Sequence, residues 1–288
     1  MKNHKIKVIG VPEHFNLPWR LLAQSDVLES TGLTIAWTDI AEGTGAMIDQ
    51  LQTGEADVAL LLTEGAVAGI SKQRGYRIVG EYVSSPLRWG IHVASASVLN
   101  HEKDLEGHRF AISRYGSGSH LMANIYAEQQ LWPEKPAFCV VNTLGGAVDA
   151  LTNGDADIFL WEQFTTQPYV DQGVFRRVGV LPTPWPCFVA CLSDKSAFSG
   201  EIAAAILRAA LSIANLLKLQ PASRDLFADR YALAPGEVSA WLDQTAWSTN
   251  GLLEPSWIRR ISDALQKVGS IEQSVSTDDA LIPIGDVN

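Results

Sequence analysis

The sequence predicts an α/β fold of two lobes, each built on its own mixed sheet. Three observations carry that reading. Apolar strand-like runs alternate with stretches of helical spacing over the first two thirds of the chain, the order expected of parallel or mixed sheets covered by helices. One segment, GAMIDQLQTGEADVAL from Gly45, returns as GGAVDALTNGDADIFL from Gly145. The length, 288 residues with 47% hydrophobic, suits two lobes or one large domain, and the repeat favours two.

The elements follow in order. Lys5–Val11 reads as a strand, ended by a turn at Pro12–Asn16. Leu33–Trp37 is a second strand, and Thr44–Gln52 has helical spacing that stops at Gly54. Asp57–Leu62 is a short apolar run, as in a strand buried on both faces. Arg77–Val83 and Trp89–Ala94 are longer strands either side of a Ser85-Pro86 break. The order then repeats: strand Arg109–Ser113, a glycine-rich turn, helix Leu121–Gln130, strand Ala137–Asn142, helix Ala147–Leu151, strand Asp157–Trp161. From about Asp194 the chain is mostly helical, and Ala203–Leu219 reads as a buried helix, its apolar run broken by Arg208, Asn215 and Lys218. The polar stretch Glu272–Asp279 receives no structure.

In the repeat, identical pairs are Gly45/Gly145, Asp49/Asp149, Leu51/Leu151, Gly54/Gly154, Ala56/Ala156, Asp57/Asp157 and Leu60/Leu160. Each copy is an amphipathic helix, a glycine suited to the left-handed position after a helix, and a strand opened by an acid. The separation exceeds the period of a solenoid.

Composition excludes several classes. A net charge of −10 argues against a phosphate-tracking surface, so nucleic acid is not an expected partner. Cys139, Cys187 and Cys191 are too few for a disulfide scaffold and form no paired CxxC half-sites. Cys187 and Cys191 share one strand face, as a buried pair of thiols. No stretch approaches the roughly 18 uninterrupted apolar residues of a membrane span, so direct insertion is not expected. MKNHKIKVIG passes straight into a strand without the apolar core of a secretory signal. The expected location is the cytoplasm, or the periplasm if a signal was removed.

Open α/β sheets bind ligands beyond the carboxyl ends of their strands, so the loops there supply the candidate site. After the first strand come Glu13, His14, Phe15 and Trp19; after the second, Glu42 and Thr44; after the third, Thr63 and Glu64. In the second half, Arg114, Gly116, Ser117, Gly118, Ser119 and His120 follow one strand, Asn142 the next, Trp161 and Glu162 the last. Trp89 and Trp185 stand at the strand crossings. The Gly116–Ser119 turn opens a helix, whose free N–H groups and dipole favour an anion; an ordinary capped turn has the same composition. The carboxylates Glu13, Glu42, Glu64 and Glu162 suit an amine or protonated ring nitrogen, and acids also favour helix starts for the dipole alone. Together the two groups suit a zwitterion. Trp132, Trp241, Trp247 and Trp257 lie on or beside helices and are expected to be structural. No GxSxG elbow, Walker ending or HExxH helix occurs, so no nucleophile, cofactor or metal is expected.

Gly54-Glu55-Ala56-Asp57-Val58-Ala59 and its echo Gly154-Asp155-Ala156-Asp157-Ile158-Phe159 resemble a signature of the type II periplasmic-binding proteins. Ser85-Pro86-Leu87-Arg88-Trp89-Gly90, Asp104–Ala111 and Arg114–Ser119 look like the crossover and the start of the second lobe in that fold. The likeness covers about residues 5–220 and is greatest to the sulfonate, nitrate and thiamine-precursor receptors, the NMT1/THI5-like group of ABC-transporter substrate-binding proteins. It implies a two-lobed fold with a hinge of two crossover strands near Ser84–Trp89 and Leu181–Phe188. Lobe 1 would combine 1–87 with the mainly helical 188–288, and lobe 2 would be 88–187. The function it implies is a solute-binding protein closing on a small polar or zwitterionic organic ligand: a sulfonate, an amino-pyrimidine or a similar heterocycle. A membrane permease or a signalling protein would be its partner. The alternative is a cytoplasmic enzyme of the thiamine-pyrimidine or menaquinone-pathway type on the same scaffold, with Glu13, His14, Glu64 or His120 as acid or base. The cysteine-rich CCCFC stretch of the yeast-type pyrimidine synthases is absent.

Overall fold

A computed structural model describes residues 4–72, 75–231 and 233–283. Along the chain run β1 (His4–Gly10), α1 (Leu17–Gln24), β2 (Leu33–Asp39), α2 (Thr44–Thr53), β3 (Val58–Leu62), α3 (Thr63–Ser71), β4 (Tyr76–Val83) and β5 (Arg88–Ala94). Next come β6 (Arg109–Ile112), α4 (Gly118–Gln129), β7 (Ala137–Val140), α5 (Leu144–Asn153), β8 (Ile158–Glu162), α6 (Gln167–Asp171), β9 (Phe175–Pro182) and β10 (Phe188–Ser193). The remainder is helical: α7 (Gly200–Leu219), α8 (Ser223–Tyr231), α9 (Pro235–Gln244), α10 (Pro255–Lys267) and α11 (Thr277–Ala280).

The chain divides into two compact units. Unit 1 takes Met1–Ser85, Trp185–Asp263 and Ile271–Asn288; unit 2 takes Pro86–Pro184 and Ala264–Ser270. The last of these segments, the end of α10 and the turn after it, falls in the stretch that the sequence assigned to lobe 1. In unit 2 Lys267 Nζ meets Glu128 Oε2 at 3.0 Å.

Unit 1 holds a sheet in the order β2-β1-β3-β10-β4, with β1 parallel to β2 and β3, and β10 antiparallel to β3 and β4. Unit 2 repeats the plan as β7-β6-β8-β5-β9, with β5 in the antiparallel place of β10. The sequence repeat is the α2–β3 and α5–β8 portion of that plan. Gly54 and Gly154 close their helices with φ of 80° and 78°, a conformation glycine adopts without steric cost. The repeated acid ties the third strand to the first: Asp57 Oδ2 accepts the Lys7 N–H at 2.8 Å, and Asp157 Oδ2 accepts the Arg109 N–H at 2.9 Å.

The core of unit 1 lies on both faces of its sheet. Val58, Ala59, Leu60 and Leu61 of β3 are all buried, as the unbroken apolar run requires. Helix α7 buries Ala203, Leu207, Ala210, Leu211 and Ala214 along one face and packs on α1 and β4. Cys187 and Cys191 are both buried. The stretch Glu272–Asp279 corrects the expectation that it would carry no structure. Ser276 caps α11 by accepting the Asp279 N–H, Val275 is buried with its N–H on Ser262 Oγ, and Leu281 bridges to Ile78 of β4. Its polar composition hid one anchoring apolar residue, Val275, and the bridge at Leu281 just beyond it.

Candidate functional site

In the order β2-β1-β3 the chain leaves β1 to one side and returns on the other. The carboxyl ends of β1 and β3 therefore flank a topological switch point, where open α/β sheets hold ligands. β3 runs without a loop into α3, so Thr63 and Glu64 form the first turn of that helix rather than the loop the sequence suggested. β10 begins beside it, Phe188 pairing with Leu62, which brings Trp185–Cys187 past the same edge. Three bonds join the segments: Thr63 Oγ1 donates to Pro186 O at 2.6 Å, Thr63 N to Cys187 O at 3.0 Å, and Trp185 Nε1 to Glu64 Oε2 at 2.8 Å. Glu64 is 3% exposed, and its Oε1 has no hydrogen-bond partner among the described residues. Burial pushes its carboxyl up from 4.5 to about 6, against its own backbone N–H and the indole N–H, which favour the charged form.

The loop after β1 packs inward. His14, Phe15 and Asn16 form a single 3-10 turn, all buried, while Glu13 before it is half-exposed. The His14 ring stands edge-on to Trp241 at 4.3 Å and stacks on Phe15 at 4.8 Å; Phe15 lies 5.3 Å from Phe188. Phe15 O accepts from Tyr82 OH at 2.6 Å and from Trp247 Nε1 at 3.3 Å. Burial lowers His14 to about 3, so the ring is neutral. Trp19, in α1, is fully buried 6.0 Å from Tyr82. Trp241 and Trp247, read as structural, are what hold this loop in place. Glu42 is exposed, and Thr44, half-exposed, opens α2. Thr44 lies against α3, where a Cβ on Gly65 would stand 2.6 Å from its methyl group.

A cavity of about 490 Å³ opens past the ends of β1 and β2, lined by Pro12, Arg20, Asp39, Leu226, Asp229, Arg230 and Tyr231. Arg20 pairs with Asp39 and lies over the Trp37 ring at 5.6 Å. Burial opposes the charge on Asp39, but Arg20 and the Trp37 N–H outweigh it and hold the carboxyl below its usual range. Arg20 and Tyr231 escaped the sequence reading because neither belongs to a motif.

In unit 2 the equivalent switch point lies between β6 and β8. The turn after β6 is a cluster of three buried serines. Ser117 caps α4 by accepting the His120 N–H at 3.3 Å. Ser119 Oγ accepts the Ser113 N–H at 3.1 Å and lies 3.1 Å from Ser117 Oγ and 3.4 Å from Ser113 Oγ. The hydroxyls are thus engaged with one another and with the backbone. Gly116, at φ 78°, points its N–H at His120 Nδ1, 3.2 Å away, which makes that nitrogen an acceptor. The His120 ring packs on Phe138 at 4.7 Å, and burial lowers its pKa. Arg114 is exposed, Gly118 begins the helix, and Asn142 is exposed at φ 62°.

Glu162 ends β8 as a turn former. Its Oε2 accepts the Thr165 N–H at 2.7 Å and the Thr165 hydroxyl at 2.9 Å, while burial raises its pKa. Trp161, half-exposed, stacks on Phe159 at 5.3 Å. Trp89 pairs in register with Glu162 and is buried, its Nε1 without a partner among the described residues. Of the four carboxylates in the sequence reading, Glu13 and Glu42 reach the surface of unit 1, and Glu64 and Glu162 are buried in units 1 and 2.

The sequence reading missed a buried network in unit 2. His92 Nδ1 donates to Phe159 O at 3.2 Å, and its Nε2 faces Thr166 Oγ1 at 2.9 Å and Arg177 Nε at 3.4 Å. Arg177 also donates to Gln163 O at 2.6 Å and Gln167 Oε1 at 2.9 Å. The one signal was a histidine inside the apolar run Trp89–Ala94. No cluster of three metal-ligating side chains occurs among the described residues.

Residues 89–181, nearly all of unit 2, match the family model described as Ca3427-like PBP. Among solved structures, the Candida albicans CA3427 gene product, described as defining a new family with the generic periplasmic binding protein fold, gives a TM-score of 0.85 at 23% identity, over 99% of this chain and 100% of its own. The alkanesulfonate-binding protein SsuA of Xanthomonas axonopodis pv. citri, bound to MOPS, gives 0.79 at 17% identity, over 98% and 99%. The periplasmic aliphatic sulphonate-binding protein SsuA of Escherichia coli gives 0.75 at 15% identity, over 99% and 94%. No curated protein matches the sequence. The chain has the periplasmic-binding-protein fold, with two mixed sheets, consistent with the type II likeness of its repeated motif.

Proposed function

We propose that the chain is a solute-binding protein whose two units close on a small polar or zwitterionic organic ligand, a sulfonate or amino-heterocycle. The fold supports a ligand-binding role in general, and two of the solved neighbours are sulfonate-binding proteins. The observation that carries the reading is Glu64: a buried carboxyl at a topological switch point with one oxygen unpartnered among the described residues. A permease or a signalling protein that takes up the loaded form belongs to the same proposal.

The enzyme reading draws less from the geometry. His14 is held neutral among aromatic rings, and His120 Nδ1 is occupied by the Gly116 N–H. Neither is placed as a general base.

The test is a thermal-shift screen of sulfonates, amino acids, amino-pyrimidines and related metabolites, with native mass spectrometry of freshly purified protein. A true ligand at 100 times its Kd stabilises the protein by about 2.7 kcal/mol and is recovered unchanged. A blank screen with no co-purifying mass, or recovery of an altered compound, would overturn the proposal.

A further inference from the structure

Buried polar atoms are almost always satisfied, and one that is not calls for a physical account. In unit 1 the Glu64 carboxyl has such an atom among the described residues, Oε1, beside neighbouring groups that are bonded. The Thr63 hydroxyl and N–H are engaged, and Trp185 Nε1 fixes one carboxyl oxygen from 121 residues away. The indole therefore sets the orientation of the group and leaves Oε1 as an acceptor beyond the carboxyl end of β3. A glutamine would satisfy the indole equally well and carry no charge. A carboxyl makes sense where the partner of the second oxygen is itself a donor, and most of all a cationic one.

We propose that Glu64 selects for a ligand bearing an N–H donor, an ammonium or an amino-heterocycle nitrogen, and that Trp185 is the positioning residue that aims it. This rests on the solute-binding reading and narrows its ligand class: the N–H group is recognised by unit 1, and a sulfonate or carboxylate without an amine is a poor ligand. The charge-assisted bond from Oε1 to that nitrogen is the contact that discriminates.

The experiment uses the full chain and two matched pairs of probes, taurine against ethanesulfonate and 4-amino-2-methylpyrimidine against 2-methylpyrimidine, by isothermal titration at pH 7.5. The expected result is that the amino member of at least one pair binds about tenfold or more tightly than its mate. Glu64→Gln should abolish that preference, so that the two members of the pair bind alike. Trp185→Phe should reduce the preference without abolishing it, and circular dichroism confirms that both variants fold. Equal binding of both members, or a preference that survives in Glu64→Gln, overturns the role of Glu64 and leaves the solute-binding reading standing. No binding by any of the four overturns the N–H donor class proposed here; the broader reading fails only if the wide metabolite screen is blank as well.

Discussion

Glu64, His14 and His92 are buried ionisable groups with opposite effects on stability as pH changes. The Glu64 carboxyl, held at about 6 against 4.5 by burial, keeps a proton in the folded state that the unfolded chain has lost. Its contribution is fully present below pH 4.5 and is lost as pH rises through 6, an effect of about 2 kcal/mol. Glu64→Gln should therefore gain about that much over the parent between pH 4.5 and 7 in urea unfolding; a pH-independent difference would show that the carboxyl is not desolvated. His14 and His92, both lowered by burial from 6.5 to about 3, and His92 further by the Arg177 charge, act in reverse. Their folded states refuse a proton that the unfolded chain accepts, so stability is present above pH 6.5 and lost as pH falls toward 3. Each should add about 1.4 kcal/mol per pH unit to the acid slope in that window. His92→Gln should remove one such increment, measured as the change in unfolding free energy between pH 6 and 5; an unchanged slope would mean that His92 is already protonated in the fold. At this scale the sequence showed which residues end strands, and so found Glu64 and Trp185. It could not show that they bond to each other, nor that the Ser117 and Ser119 hydroxyls would be spent on neighbours, because those bonds depend on tertiary placement.

At the scale of elements, the repeat was the most readable feature because its physics is local. A helix that ends in a left-handed residue needs glycine, and an apolar strand that follows needs its first N–H neighbours tied. Gly54 and Gly154 meet the first need, Asp57 and Asp157 the second. Gly154→Ala places a Cβ in open space at φ 78°, so its cost is backbone strain alone, about 1–2 kcal/mol in chemical denaturation. Gly154→Asn should cost less, since asparagine tolerates that region. An alanine variant as stable as the parent would refute the C-terminal cap. The elements misjudged were those whose order comes from elsewhere. Thr63 and Glu64 were read as a loop because they follow the end of a strand, yet α3 starts there directly, with Thr63 tied to Pro186 and Cys187. α11 was overlooked because its four residues carry only one buried side chain, Ala280.

At the scale of the whole molecule, the fold was legible because a duplicated α/β plan dictates two sheets of like order, and the strand orders of the two units match strand for strand. The units differ in how the chain assembles them. Unit 2 is almost one continuous segment, Pro86–Pro184, whereas unit 1 needs three. The β10 strand of unit 1 lies between β3 and β4, and bonds such as Trp247 to Phe15, 232 residues apart, and Ser71 to Gln273, 202 apart, join distant parts of the unit. Loop-closure entropy must be met before such contacts repay it, so distant pairings form late. Unit 2, where the bond from Leu87 to Thr183 spans 96 residues, should order first. In refolding from denaturant, pulse-labelling hydrogen exchange read by mass spectrometry should show amides of Arg109–Ile112 and Ile158–Glu162 protected before those of Val58–Leu62 and Phe188–Ser193. A substitution in β8, such as Leu160→Ala, should slow the early phase, while Leu60→Ala in β3 should slow only the later one. Simultaneous protection of both sheets would mean that the two units fold as one cooperative body, and the segment count would then have no kinetic consequence.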